Sequence, residues 1–327
     1  MSFDAIMKQI QSGLTGNNKE DIVYLRKQIQ EYKDHPLQEA IQREIGKMIY
    51  NRLDANQQQA YRISIEKDQK QTEQTLKEVE YYREKKEFDK ALSILRPIIK
   101  TMEKETLFKN DQIQDYFSFH EPFEQALYMY LEKPKKKVST TPVMYSDVYY
   151  LYACLWKDKG EQQACHEALE KALAWNPMSS KIHFLYMSEM DDLEKYFAYT
   201  KFAFQYMFHP RDIAQLYKNF ATYYEKKNQP NYQYGCLGLS LQFVEDESVM
   251  KQMQDLETPT FVPASLEDLK KAGLPIGADQ TVVGLAYGYG KTYVEKKQYD
   301  QARYYLQIAY DLTHAQEVKE MLREMKN

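Results

Sequence analysis

An all-α fold, a solenoid of stacked helical hairpins, is predicted for this chain by three features of its sequence. The stretch Leu285–Leu312, LAYGYGKTYVEKKQYDQARYYLQIAYDL, carries two helical patterns that meet at a short polar turn. Small residues, Gly290 and Ala302, stand where the two helices would touch, with Tyr289, Tyr293, Tyr299, Leu306 and Ala309 spaced around them at helical intervals. Such a pair leaves a broad apolar face that a similar neighbour must cover. Neighbours of that kind occur earlier in the chain, and Gly and Pro, at 11 each, are scarce enough for long helices.

An N-terminal helical extension is expected over 1–66 and a repeat region over 67–327. Phe3, Ile6, Met7 and Ile10 mark a first helix, closed by Gly13 and Gly16. Asn18 is expected to cap a second, with Ile22, Leu25 and Ile29 on one face, and Pro36 stops it. A third carries Leu37, Ile41, Ile45, Met48 and Ile49, and Asp54 reads as the next cap. The stretch Glu66 to Gln71 has no apolar residue, which predicts a break or a bare solvent turn.

Helix pairs are expected near 72–103, 143–177, 179–210, 211–254 and 280–313, with a linker at 258–278 and a cap at 314–327. The runs EKKEFDKALSIL and EKKQYDQARYYL, starting at Glu84 and Glu295, match without a gap. A third copy spans Tyr149–Pro177. A fourth begins at Leu216 with Phe220 and Tyr223, and continues after a small insertion through Gly235, Leu239 and Phe243. The large aromatics Tyr82, Trp156, Tyr223 and Tyr293 recur about every 70 residues, close to twice a period of roughly 34. A lone helix, Pro122 to Glu132, fills the first of these intervals.

Tyr149, Tyr152-Ala153, Trp156, Cys165, Leu169, Ala172 and Pro177 resemble the packing signature of a tetratricopeptide repeat. The later copy offers Tyr289-Gly290, Tyr293, Ala302, Leu306 and Ala309, and ends in His314 where the family places Pro. The chain as a whole is similar to uncharacterised tetratricopeptide-repeat proteins of anaerobic Gram-positive bacteria. The resemblance covers the region from about Thr72 onward. It implies a right-handed α-α superhelix whose first helices line a concave face, and no particular activity.

Charge and composition exclude several classes. With 44 Lys+Arg against 48 Asp+Glu, nothing draws the chain to nucleic acid or to an acidic membrane. No apolar run is long enough to span a bilayer, and no signal peptide is expected from the first residues. The odd count of cysteines, Cys154, Cys165 and Cys236, fits a reducing cytoplasm better than a disulfide framework. The 29 tyrosines read mostly as packing residues of amphipathic helices.

No catalytic motif emerges. His120, His166 and His183 lack the HExxH spacing that would aim two zinc ligands from one helix face. Gly284, Gly288 and Gly290 lie in a helical pattern, so they cradle no phosphate. Cys154 and Cys165 have no base marked beside them. The run Lys133–Lys137, KPKKK, reads as a solvated loop between helices. No cofactor or metal is expected. What remains is the concave face, one position off the core set: Tyr150, Cys154, Tyr217, Ala221, Tyr224, Tyr287 and Lys291. A tyrosine-lined groove suits a peptide or partner protein, and the expected function is a non-catalytic interaction scaffold. A peptide-sensing regulator and a helical-fold enzyme are the alternatives. The competing expectation is that the linker, near Phe261 to Pro275, fills the groove itself.

Overall fold

The computed structural model describes residues 1–104 and 108–325. The chain is predominantly helical, with seventeen α-helices and two short strands among the described residues. It divides into two compact units, Met1–His120 with Glu132–Pro177, and Glu121–Leu131 with Met178–Asn327.

In the first unit, α1 (Phe3–Ser12), α2 (Asn18–Glu31) and α3 (Gln38–Tyr50) close around Ile6, Met7, Ile10, Leu25, Ile41 and Ile45. The cap of α2 is Asn17, one residue earlier than expected, and its side chain accepts from the Lys19 amide. The buried Asp21 carboxylate accepts from the Thr15 amide at 2.7 Å and from Arg52 Nε at 3.0 Å. These donors, the Thr15 amide first, hold its carboxyl below the usual range.

The helix α4 (Ala55–Glu84) starts at a capping box between Asp54 and Gln57 and runs unbroken through Glu66 to Gln71. The expected break is therefore absent, and the boundary set at 66 falls inside a helix. A solvated helix needs no apolar stripe there, because Glu, Lys and Gln are good helix formers. Gln69 also donates to Glu73 one turn on, at 3.1 Å.

After α5 (Phe88–Lys104) comes a feature the helical expectation missed. Strands β1 (Gln114–Phe117) and β2 (Lys137–Thr140) pair in parallel, Gln114 opposite Lys137 and Phe117 opposite Thr140. Lys137, expected in a loop, opens β2. The segments are too short for a helix and rich in residues that suit a pleated surface: Tyr116, Phe117, Val138 and Thr140. Between the strands lies α6 (Pro122–Glu132), which packs in the second unit. The first unit ends with α7 (Tyr145–Asp158) and α8 (Gln162–Trp175).

The second unit continues with α9 (Ser180–Ser188) and α10 (Leu193–Ala203), then a 3-10 turn at Phe204–Tyr206. Next come α11 (Pro210–Lys226), α12 (Pro230–Leu241) and α13 (Glu247–Leu256). The linker is not bare. It carries α14 (Leu266–Lys271), capped by Ser265, and buries Leu269 and Leu274. Then α15 (Gln280–Glu295) and α16 (Tyr299–Thr313) precede α17 (Gln316–Glu324). This last helix lies where the cap is expected and buries Val318 and Leu322; residues 326–327 of the expected cap lie outside the described residues.

Four hairpins, α4–α5, α7–α8, α11–α12 and α15–α16, turn in one way. Each places a left-handed residue after its first helix: Lys86 (φ 59°), Gly160 (φ 76°), Asn228 (φ 54°) and Lys297 (φ 56°). The next amide reaches back at 2.9 Å to the carbonyl of Tyr82, Trp156, Tyr224 or Tyr293. These bonds satisfy carbonyls that a helix end leaves open. Aligned on this turn, the four copies match without a gap. The expected insertion in the fourth is absent, and its reference aromatic is Tyr224, not Tyr223. The same alignment brings Val79, Ala153, Ala221 and Gly290 to one buried position, and Leu95, Leu169, Leu237 and Leu306 to another.

The small position is narrow. A Cβ on Gly290 would lie 2.5 Å from Leu306 Cγ, whereas one on Gly288 would meet nothing within 4 Å. Gly290→Ala is expected to destabilise the protein by about 1–3 kcal/mol. Gly288→Ala is expected to be neutral or stabilising by up to about 1 kcal/mol. Urea unfolding of the two variants checks both, and equal midpoints would contradict the close approach.

Candidate functional site

The candidate groove residues fall into three places. Tyr150 and Cys154 lie one turn apart on α7 in the first unit. Cys154 is buried and Tyr150 half-buried. Their thiol and hydroxyl interact, and burial pushes both up, most strongly the Tyr150 hydroxyl. Beside them Arg83 of α4 bridges Glu80 at 2.9 Å and Asp158 at 2.6 Å. Arg83 opposes the rise at Cys154 without cancelling it.

Tyr217, Ala221 and Tyr224 of α11 are core residues of the second unit, the first of them 0% exposed. The Tyr217 hydroxyl donates to Pro275 O at 3.1 Å and accepts from the Gly277 amide at 2.8 Å. Tyr224 stacks on Tyr232 at 5.0 Å. The end of the linker, at Pro275 and Gly277, thus closes over the Tyr217 hydroxyl. The reason these three were assigned to a groove is the slip in the fourth copy: Tyr217 and Ala221 align with the buried Tyr149 and Ala153. The α11 residues that align with Tyr150 and Cys154 are Lys218 and Thr222, both partly exposed.

Tyr287 and Lys291 of α15 are accessible, but Tyr287 already hydrogen-bonds Glu317 of α17, and Lys291 Nζ stands 5.3 Å over the Tyr287 ring. The Glu317 bond holds the Tyr287 hydroxyl above its ordinary range. Of the five in the second unit, Tyr217, Ala221 and Tyr224 are buried and only Tyr287 and Lys291 are accessible.

A second opening, lined largely by apolar side chains, lies in the first unit. A cleft of ≈ 490 Å³ runs between α4 and α5, floored by Ile65, Ile94, Pro97, Ile98 and Val143, with Thr72, Thr75 and Thr101 along it. It adjoins a recess of ≈ 370 Å³ through shared walls at Met102, Phe108 and Tyr145, and there Tyr149 and Trp175 add two more rings. Tyr145 and Trp175 meet edge to face at 4.8 Å. Lys171 Nζ, paired with Glu103 at 2.8 Å, stands 5.4 Å over the Tyr149 ring. Sequence reasoning missed this surface because its walls come from helices of two hairpins and a strand–helix loop. The signal for it was the pair of half-buried isoleucines, Ile94 and Ile98, one turn apart on the outer face of α5.

The second unit holds a polar clasp. Glu121 accepts from His209 Nε2 at 2.9 Å and from the Tyr304 hydroxyl at 2.8 Å, and so anchors the start of α6. Phe123 follows into a socket of Phe208 and Tyr305. The Glu121 bond pulls His209 above its ordinary value against desolvation. Burial likewise raises Asp212, which Ser180 partly offsets. Among the described residues, no group of three or more His, Cys, Asp or Glu is placed to hold a metal ion.

No protein-family model matches the chain. No curated protein shows significant similarity to it.

Tyr217→Phe removes the hydroxyl contacts to Pro275 and Gly277 and leaves the half-buried Gly277 amide and Pro275 carbonyl without that partner. A loss of about 1–3 kcal/mol is expected, with faster amide exchange at Gly277. Unchanged exchange would show that the hydroxyl does not hold the linker.

His209 and Asp212 both have folded values above their unfolded ones. The stabilisation from His209 is fully present below its ordinary value of 6.5 and is lost as pH rises through the folded value. Asp212 acts with the same sign in the acid range. Because His209 is half exposed, a loss of only about 0.5 kcal/mol is expected between pH values of about 6 and 8. Urea unfolding at the two pH values checks it, and His209→Gln is expected to flatten the slope.

Proposed function

We propose that the chain is a non-catalytic interaction scaffold of the tetratricopeptide-repeat kind, acting in the cytoplasm without a cofactor. Its partner is a protein, held through an extended peptide segment in the aromatic-lined cleft of the first unit. That cleft is the observation that carries the reading. It offers an apolar floor and rings with polar edges, and its threonine hydroxyls, whose hydrogens go to carbonyls of their own helices, can still accept, a mixture that holds a peptide by side-chain contact and by bonds from its amides. The four hairpins with one shared turn support the repeat reading, and the right-handed superhelical stacking of that family belongs to the same proposal. The three cysteines are buried thiols outside any disulfide, which accords with a reducing compartment. Among the described residues, no helix is long and apolar enough to cross a membrane.

Ile94→Asp with Ile98→Asp changes the cleft floor on a face that is already half exposed. Affinity capture followed by mass spectrometry is expected to recover a partner with the wild type and about tenfold less of it with the double variant. Circular dichroism should stay unchanged. Equal recovery by both proteins would place the docking surface elsewhere.

A further inference from the structure

The two edges of the β1–β2 pair are finished differently. In the parallel register, Lys137 N donates to Ile113 O at 2.9 Å and Thr141 N to Phe117 O at 2.8 Å. Alternate residues therefore face outward. On β1 and the residue just after it these are Gln114, Tyr116 and Ser118, and every one of their amides is taken. Gln114 N donates to Asp111 Oδ1 at 2.9 Å, Tyr116 N to Asn110 Oδ1 at 2.7 Å, and Ser118 N to Trp175 O at 2.8 Å. On β2 the outward residues are Val138 and Thr140. Their backbone N–H and C=O groups have no hydrogen-bond partner among the described residues.

The bare edge is preceded by the basic run. Lys136 pairs with Asp115 at 3.0 Å, while Lys133, Lys135 and Lys137 are exposed and have no ion-pair partner among the described residues. Lysines beside an edge oppose its pairing with a second copy, since like charges would meet. The same lysines favour an incoming strand of opposite charge.

We infer that the free edge of β2, with the lysines that lead into it, is a docking site for an extended acidic segment of a partner protein, which adds as a third strand. Backbone bonds to Val138 and Thr140 supply the register. The lysines select for carboxylates on that strand and against a basic one. This surface is separate from the cleft between α4 and α5, and its test does not depend on that reading.

The probe is a fluorescein-labelled peptide of about eight residues alternating glutamate and valine, with its lysine–valine counterpart as control. Fluorescence anisotropy is expected to show binding of the acidic peptide alone, weakened by salt. Amide exchange at Val138 and Thr140 should slow when it binds. Val138→Pro removes one outward donor and spares the bonds to β1, so an affinity loss of at least about fivefold is expected. Lys135→Glu with Lys137→Glu keeps every backbone donor and should weaken binding by a similar factor, which preserves the test if Val138→Pro disturbs the strand. The cleft variant Ile94→Asp with Ile98→Asp should bind the peptide as the wild type does. No binding, equal binding of the lysine peptide, no effect of either edge variant, or self-association of the chain through this edge would each overturn the inference.

Discussion

The four turn-aligned hairpins depend on how closely their two helices approach. In α15–α16 that distance is set by a missing side chain: Gly290 lies against Leu306, and a single methyl would collide with it. The turn between the helices must then be short and must reverse the chain cleanly. A left-handed residue does this at Lys86, Gly160, Asn228 and Lys297, only one of which is Gly. The non-glycine cases carry some strain, roughly 1 kcal/mol each, offset by packing along the small-residue seam.

That constraint explains what could be read from residues alone. Ala153 and Gly290, each one turn before a bulky ring and followed by Leu169 or Leu306, marked the α7–α8 and α15–α16 hairpins in the sequence because the seam there tolerates so few side chains. Where the seam was ambiguous, the reading slipped. Tyr223 and Tyr224 are adjacent and chemically identical, so only the turn hydrogen bond tells which one occupies the ring position. The slip of one residue carried Tyr217 and Ala221 from the core to an imagined groove. The continuity of α4 was not legible because a solvated helix carries no apolar period. The strands β1 and β2 were not legible either, since each gains its pairing from a segment beyond α6.

The abundance of tyrosine has a common physical cause in these contacts. Tyr217 ties down the linker, Tyr304 holds Glu121, and Tyr199 reaches His183 at 2.8 Å. Tyr223 donates to Glu194 at 3.1 Å and Tyr287 to Glu317. In each case the ring packs among helices while its hydroxyl fastens a polar group from another element. Phenylalanine would fill the same space and fix nothing. Burial raises the Tyr217, Tyr199 and Tyr304 hydroxyls, so they stay neutral and able to donate.

The helix α6 interrupts the first unit in sequence and completes the second in space. Since Glu121–Leu131 is flanked on both sides by residues of the other unit, no single proteolytic nick yields two self-sufficient fragments. During synthesis the Phe123 ring leaves the ribosome well before Phe208 and Tyr305, so an apolar knob stays uncovered while most of the chain is still being made.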